Sequence, residues 1–98
     1  MPQFDVHRSR AGTELLLDCQ SDLLGHFETR FVIPLVPTQT AQKLTRLHPV
    51  FEIEGRHHIM ATQLASAVDT RELGQRVASL AESRYDILNA VDMLLTGV

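Results

Sequence analysis

The chain has no tryptophan, one cysteine and only five aromatic residues among 98, so little of its stability can come from large rings or cross-links. A single cysteine, Cys19, excludes an internal disulfide. It follows the apolar run Leu15-Leu16-Leu17, which marks it as a small buried side chain rather than a nucleophile. Basic clusters are also missing. Nine Lys and Arg stand against twelve Asp and Glu, for a net charge of -3. Phosphate contacts need clustered cations, so sequence-specific DNA binding is not expected. Arg8 with Arg10, and Arg30 with Arg56, are the pairs that could form a local basic groove. No stretch approaches the roughly 20 apolar residues of a membrane span. The start, Met1-Pro2-Gln3-Phe4-Asp5, has neither the charge nor the apolar run of a secretion signal, so the expected compartment is the cytoplasm.

Motifs for small-molecule chemistry are absent too. The five glycines are scattered singly, which excludes a glycine-rich phosphate loop, and there is no Gly-x-Ser-x-Gly elbow. His57 and His58 are neighbours on an expected strand and would face opposite sides. His7, His26 and His48 lie far apart. No metal or other cofactor is expected. Asp18, Asp22, Glu28, Glu52 and Glu54 include no pair spaced to drive one carboxyl's pKa away from another's. Ser21 beside Asp22 reads as a turn rather than a catalytic serine. The residues favour a binding module over an enzyme.

What is present is a β pattern followed by one helix. Phe4 and Val6 alternate with polar neighbours. With a turn at Ser9–Gly12, they predict a hairpin to a second strand over Thr13–Cys19. A loop follows from Gln20 to His26. Arg30–Leu35 reads as a third strand, stopped by Pro34 and Pro37. Thr40–Leu47 reads as a loop or one helical turn. Pro49–Ile53 and His57–Thr62 flank Glu54-Gly55-Arg56 as a second hairpin. A short strand near Ala65–Asp69 and an extended passage through Gly74 come next. Ser79-Leu80-Ala81-Glu82 fits a capping box opening the final helix, with Gly97 just past its end. The expected architecture is one domain over residues 1–98: mainly β, a small barrel or rolled sheet with a C-terminal helix.

Two places suggest a partner. Leu23 and Leu24 are consecutive apolar residues in a surface loop; one is expected to plug the core and the other to be exposed. The helix carries Ile87, Leu88, Val91, Leu94, Leu95 and Val98 on one face, expected to be core. Ala90, Met93 and Gly97 form a second stripe, expected to be an interface. A domain of this size gains appreciably from oligomerisation.

Asp18-Cys19-Gln20-Ser21-Asp22-Leu23-Leu24, followed by Arg30-Phe31-Val32-Ile33-Pro34-Leu35, resembles the CcdB family of toxin–antitoxin toxins. Gln3-Phe4-x-Val6, Pro49-Val50-Phe51-x-Ile53, Met60-x-Thr62, Ala65-Ser66, Leu73-Gly74, Asp86-Ile87 and Gly97-Val98 extend the likeness over essentially the whole chain. The resemblance implies an SH3-like barrel of the CcdB/MazF type, with a five-stranded antiparallel sheet and a smaller one. It implies a homodimer with Met93 and Leu94 at the interface. It further implies binding to the DNA gyrase A subunit, trapping the cleaved gyrase–DNA complex, and neutralisation by a CcdA-like antitoxin that folds on contact. Gyrase-facing residues would be Ser21, Leu23 and Leu24 from the loop, with Asp92, Leu95, Thr96, Gly97 and Val98 from the helix end. Thr96 stands where the best-known members have tryptophan, and Asp92 where many have asparagine. The proline usual after Ala65-Ser66 is absent. The rival enzyme reading, a MazF- or PemK-like endoribonuclease, would draw on Arg30, Arg56, His57 and Thr62. A degenerate toxin that binds antitoxin without poisoning gyrase is the third reading.

Overall fold

A computed structural model describes residues 1–40, 42 and 45–97. Among the described residues seven strands precede the helix: β1 (Asp5–Ser9), β2 (Leu15–Asp18), β3 (Thr29–Pro37), β4 (Val50–Ile53), β5 (Arg56–Met60), β6 (Ser66–Asp69) and β7 (Leu73–Ser79). The helix, α1, spans Arg84–Thr96. All pairings are antiparallel, in the order β4-β5-β3-β2-β1-β7, with β6 also on β3. The long strand β3 explains the branching. Its first half, Thr29–Val32, pairs with β6, and its second half, Leu35–Pro37, pairs with β5. Thus a five-stranded sheet, β6-β3-β2-β1-β7, and a smaller one, β4-β5-β3, are continuous through β3.

Chain connectivity forces the five-stranded part to curl. Five flat strands would set β6 and β7 about 19 Å apart. Only Thr70–Glu72 link them. The steps from Asp69 to Leu73 reach about 14 Å at full extension, and less in the helical turn they adopt. The sheet therefore rolls into a half-barrel, and β2 is buried on both faces. Val6, Leu15, Leu17, Ile33 and Leu35 join Phe51, Ile53, Met60, Ile87 and Ala90 in the main core. Leu16, Val32 and Leu73 form a second, smaller cluster. The apolar run Leu15–Leu17 is the sequence mark of this two-sided burial.

Several local expectations hold. The β4–β5 turn places Glu54 at φ 53° and Gly55 at φ 78°, the paired positive angles of a two-residue hairpin turn. Gly97 closes α1 in the left-handed region, its N–H donating to the Met93 carbonyl at 2.8 Å. Of the 40–47 loop, Ala41, Lys43 and Leu44 lie outside the described residues, and Thr45 bridges His48.

Three expectations are corrected. Pro34 does not stop β3, which runs on to Pro37. Its carbonyl accepts from Ala61 N–H, so its missing N–H faces the side where β3 changes partner from β6 to β5. The capping box does not form. Ser79 ends β7 opposite Asp5, and its Oγ accepts from Ala81 N–H instead. A further turn at Ala81–Ser83 is needed before α1 begins. The helix stripes are also redistributed. Ala90, expected at an interface, is fully buried in the core, whereas Leu94 is 41% and Leu95 75% exposed. Leu94 lies seven residues after buried Ile87, on nearly the same side of the helix. The covering surface therefore ends before the last turn, and the helix overhangs it.

Candidate functional site

The first candidate element begins where the β2–β3 ladder ends, at Asp18 opposite Val32. One more bond, Cys19 N–H to the Phe31 carbonyl at 2.9 Å, closes the ladder. The chain then turns through a single helical turn at Asp22–Leu24. Ser21 caps it: its Oγ accepts from Leu23 N–H at 3.2 Å and its carbonyl from Leu24 N–H at 2.9 Å. This is the turn role expected for Ser21, and it engages the hydroxyl with the backbone. Neither leucine plugs the core: Leu23 is 87% and Leu24 42% exposed. The space below is already filled. A Cβ at Gly25 would stand 3.7 Å from Nη1 of Arg30, whose side chain is almost wholly buried.

Arg30 is the floor of this turn rather than part of a basic groove. Its Nε and Nη2 both donate to Oδ2 of buried Asp18, at 3.0 and 2.7 Å, and Nη2 also donates to the Met1 carbonyl. The other Asp18 oxygen accepts from Gln20 N–H. The start of the chain braces the turn from outside. Gln3 N–H donates to Oδ1 of Asp22 at 2.8 Å, and Gln3 Nε2 to the Cys19 carbonyl at 3.0 Å. Gln20 bridges the turn to β3, its side chain bonded to Leu24 and Phe31. Gln3, Asp18 and Arg30 stand among the residues that carry the resemblance, but their bracing of the turn had no signal in the sequence, because buried charge pairs read as surface charge.

The second element is the overhanging end of α1. Asp92, Leu95, Thr96 and Gly97 are exposed, and Met93 is half-buried beside exposed Leu94. Thr96 Oγ1 donates to the Asp92 carbonyl at 2.7 Å, turning the hydroxyl back on its own helix. Val98 lies outside the described residues. The turn is tied to the chain start and to β3, and the helix end to its own preceding turn, so the two are separately supported.

The residues of the enzyme reading are not assembled. Arg30 is locked to Asp18, and Thr62 is fully buried with its Oγ1 donating to the Leu47 carbonyl at 2.6 Å. Arg56 and His57 are consecutive on β5 and face opposite sides. The other basic pair fails as well, since Arg8 engages Glu54 at 2.7 Å. Burial pushes the Cys19 thiol up to about 12, helped by the Asp18 charge, which suits a packed side chain and not a nucleophile. Among the described residues, no three His, Cys, Asp or Glu side chains converge on a point where a metal could bind. No helix among them is long and apolar enough to cross a membrane.

A shallow groove of about 410 Å³ lies beside the turn, lined by Phe27, Glu28, Asp69, Thr70 and Arg71. Arg71 donates three hydrogen bonds to the Asp69 carboxylate, two from its guanidinium and one from its backbone N–H, and holds that carboxyl below the usual range. The ion pair engages both groups, and the Glu28 carboxylate is the other charged side chain of the lining.

The family model described as CcdB protein matches residues 3–97. Two solved structures share the fold at low identity. One is described as an endoribonuclease in complex with its cognate antitoxin from a mycobacterial species. It superposes with a TM-score of 0.79 at 13% identity, covering 97% of this chain and 94% of that one. The other is the Mycobacterium tuberculosis toxin MazF-mt6, with a TM-score of 0.76 at 11% identity, covering 93% and 95%.

Proposed function

Because the chain belongs to the CcdB family of toxin–antitoxin toxins, we propose that it binds the DNA gyrase A subunit and traps the cleaved gyrase–DNA complex. The observation that carries this reading is the pair of adjacent leucines, both exposed, on a turn braced from below and from the side. Exposed apolar side chains on a rigid support are what a protein interface selects. Leu23 and Leu24 enter a cleft of the partner, with Ser21 fixing the turn. Leu95, Thr96, Gly97 and Val98 make the second contact, with Asp92 at its edge.

The active form in this reading is a homodimer. Met93 and Leu94 meet their counterparts across the two-fold, so that paired turns and tails face a two-fold partner. A CcdA-like antitoxin neutralises the toxin through a segment that orders on binding. The protein acts in the cytoplasm, without a cofactor. Thr96 supplies less contact area than the tryptophan of the best-known members. Loss of an aromatic anchor costs roughly 2 kcal/mol of binding, so weaker poisoning is expected.

The endoribonuclease reading has one observation in its favour, the fold shared with the antitoxin-bound endoribonuclease. Against it, two of its four candidate side chains, Arg30 and Thr62, are buried and bonded. One incubation separates the readings: purified protein, gyrase, supercoiled DNA and ATP, with linear DNA scored after the gyrase is denatured. Linear DNA that disappears on deleting Gly97-Val98 supports the gyrase reading. Cleavage of a single-stranded RNA without linear DNA supports the nuclease. Antitoxin binding with neither activity supports a degenerate toxin.

A further inference from the structure

The turn that carries Leu23 and Leu24 hangs from the sheet by few bonds, and one side chain spans the gap. Its internal bonds, from Leu23 and Leu24 to Ser21 and from Gly25 to Asp22, set the shape of the turn. They do not set its orientation on the sheet. Residues 20–28 lie beyond the ladder between β2 and β3. Gln20 supplies the missing link. Its Nε2 donates to the Leu24 carbonyl at 2.8 Å, and its Oε1 accepts from Phe31 N–H at 3.0 Å. Its own N–H donates to Oδ1 of Asp18 at 3.1 Å, which anchors it to the buried ion pair. A primary amide is suited to this, because it presents one donor and one acceptor at fixed separation.

We propose that Gln20 is the positioning residue of the partner-binding turn, holding Leu23 and Leu24 outward in the free protein. Here the partner is the gyrase A subunit, so the proposal rests on the preceding reading for its ligand but not for its geometry. A turn already ordered before binding avoids the entropy loss that a loose loop would suffer on docking. Gln20 touches no partner in this account. It acts through the Leu24 carbonyl on one side and the β3 backbone on the other. Gln3, bonded to Asp22, gives a second tether, which keeps the turn attached when Gln20 is changed.

Two substitutions test this. Gln20→Ala removes both side-chain bonds. Gln20→Glu keeps an acceptor for Phe31 N–H and loses the donor to Leu24. Amide hydrogen exchange in the free protein is the readout that needs no partner. The Phe31 amide should exchange about tenfold faster in Gln20→Ala and stay protected in Gln20→Glu, while Leu23, Leu24 and Gly25 loosen in both. Affinity for an isolated dimerisation-domain fragment of gyrase A should fall about tenfold in both, with the thermal midpoint nearly unchanged. Unaltered exchange at Leu23–Gly25 in both variants overturns the proposal, as does full affinity despite a loosened turn. A wild-type protein that fails to bind the fragment overturns the gyrase reading instead, and the exchange data still decide the role of Gln20.

Discussion

Arg30 and Asp18 form a two-pronged ion pair out of solvent, with Nε and Nη2 of the guanidinium donating to one carboxylate oxygen. The pair joins β2 to β3 at the root of the exposed turn. Removing one partner leaves a charge buried alone, which costs about 3–5 kcal/mol. Asp18→Asn or Arg30→Met should lower the unfolding free energy, read from denaturant titration, by that amount. The double change Asp18→Leu with Arg30→Met should recover much of it, since no orphan charge remains. Equal loss in the single and double variants would show that the pair's geometry, and not its charge balance, is what matters.

Gly74 and Gly12 should differ sharply in their response to alanine. A Cβ at Gly74 would lie 2.7 Å from the Arg8 carbonyl, a backbone atom of the paired strand that has little room to move. Overpacking of this kind costs about 1–3 kcal/mol. At Gly12 a Cβ meets nothing within 4 Å. Thermal unfolding should show a clear drop for Gly74→Ala and almost none for Gly12→Ala.

The thiol of Cys19 should be nearly inert in the native protein. Its pKa of about 12 against 9.0 for a free thiol leaves about a thousandfold less thiolate at pH 8. Labelling by a disulfide reagent should be slow in buffer and fast in guanidinium chloride. The sign for stability follows from proton binding. Between pH 9 and 12 the unfolded chain has lost a proton that the folded chain keeps, so stability is full below pH 9 and falls as pH rises. A Cys19→Ala variant should lose that alkaline slope.

The helix end tests the role of its left-handed residue. Gly97 sits at φ 76°, where an L side chain is strained by about 1–2 kcal/mol. Gly97→Ala should fray the last turn and lower helicity slightly by circular dichroism. Gly97→Asn should do so less, because asparagine tolerates this conformation.

These contrasts also show which features can be read from a sequence. The hairpins were legible because alternation and the Glu54-Gly55 turn are local signals. The rolled sheet was partly legible in Leu15–Leu17, whose unbroken apolar run requires cover on both faces. Asp18 and Arg30 were not, since a charge looks alike in sequence whether solvated or paired in the interior. Ser79 misled because a correct local capping pattern lost to a tertiary pairing with Asp5. Leu23 and Leu24 stand out in the sequence as adjacent apolar residues in a loop, but neither is buried, because the short helical turn capped by Ser21 carries both on its outside. The helix face was legible to Val91; that the support ends before Leu94 depends on elements distant in sequence, which no single helix encodes.

The central claim is that Leu23 and Leu24 form the contact with gyrase A. The most direct measurement is the affinity of the wild-type protein and of Leu23→Asp for the dimerisation-domain fragment of gyrase A, by titration calorimetry. Leu23 is 87% exposed, so the substitution should leave the unfolding free energy within about 0.5 kcal/mol of wild type. Saturable binding is expected for the wild-type protein and at least a roughly thirtyfold loss in the variant, the effect of removing a hot spot of about 2 kcal/mol. No binding by the wild type, or equal binding by a folded Leu23→Asp, would contradict it.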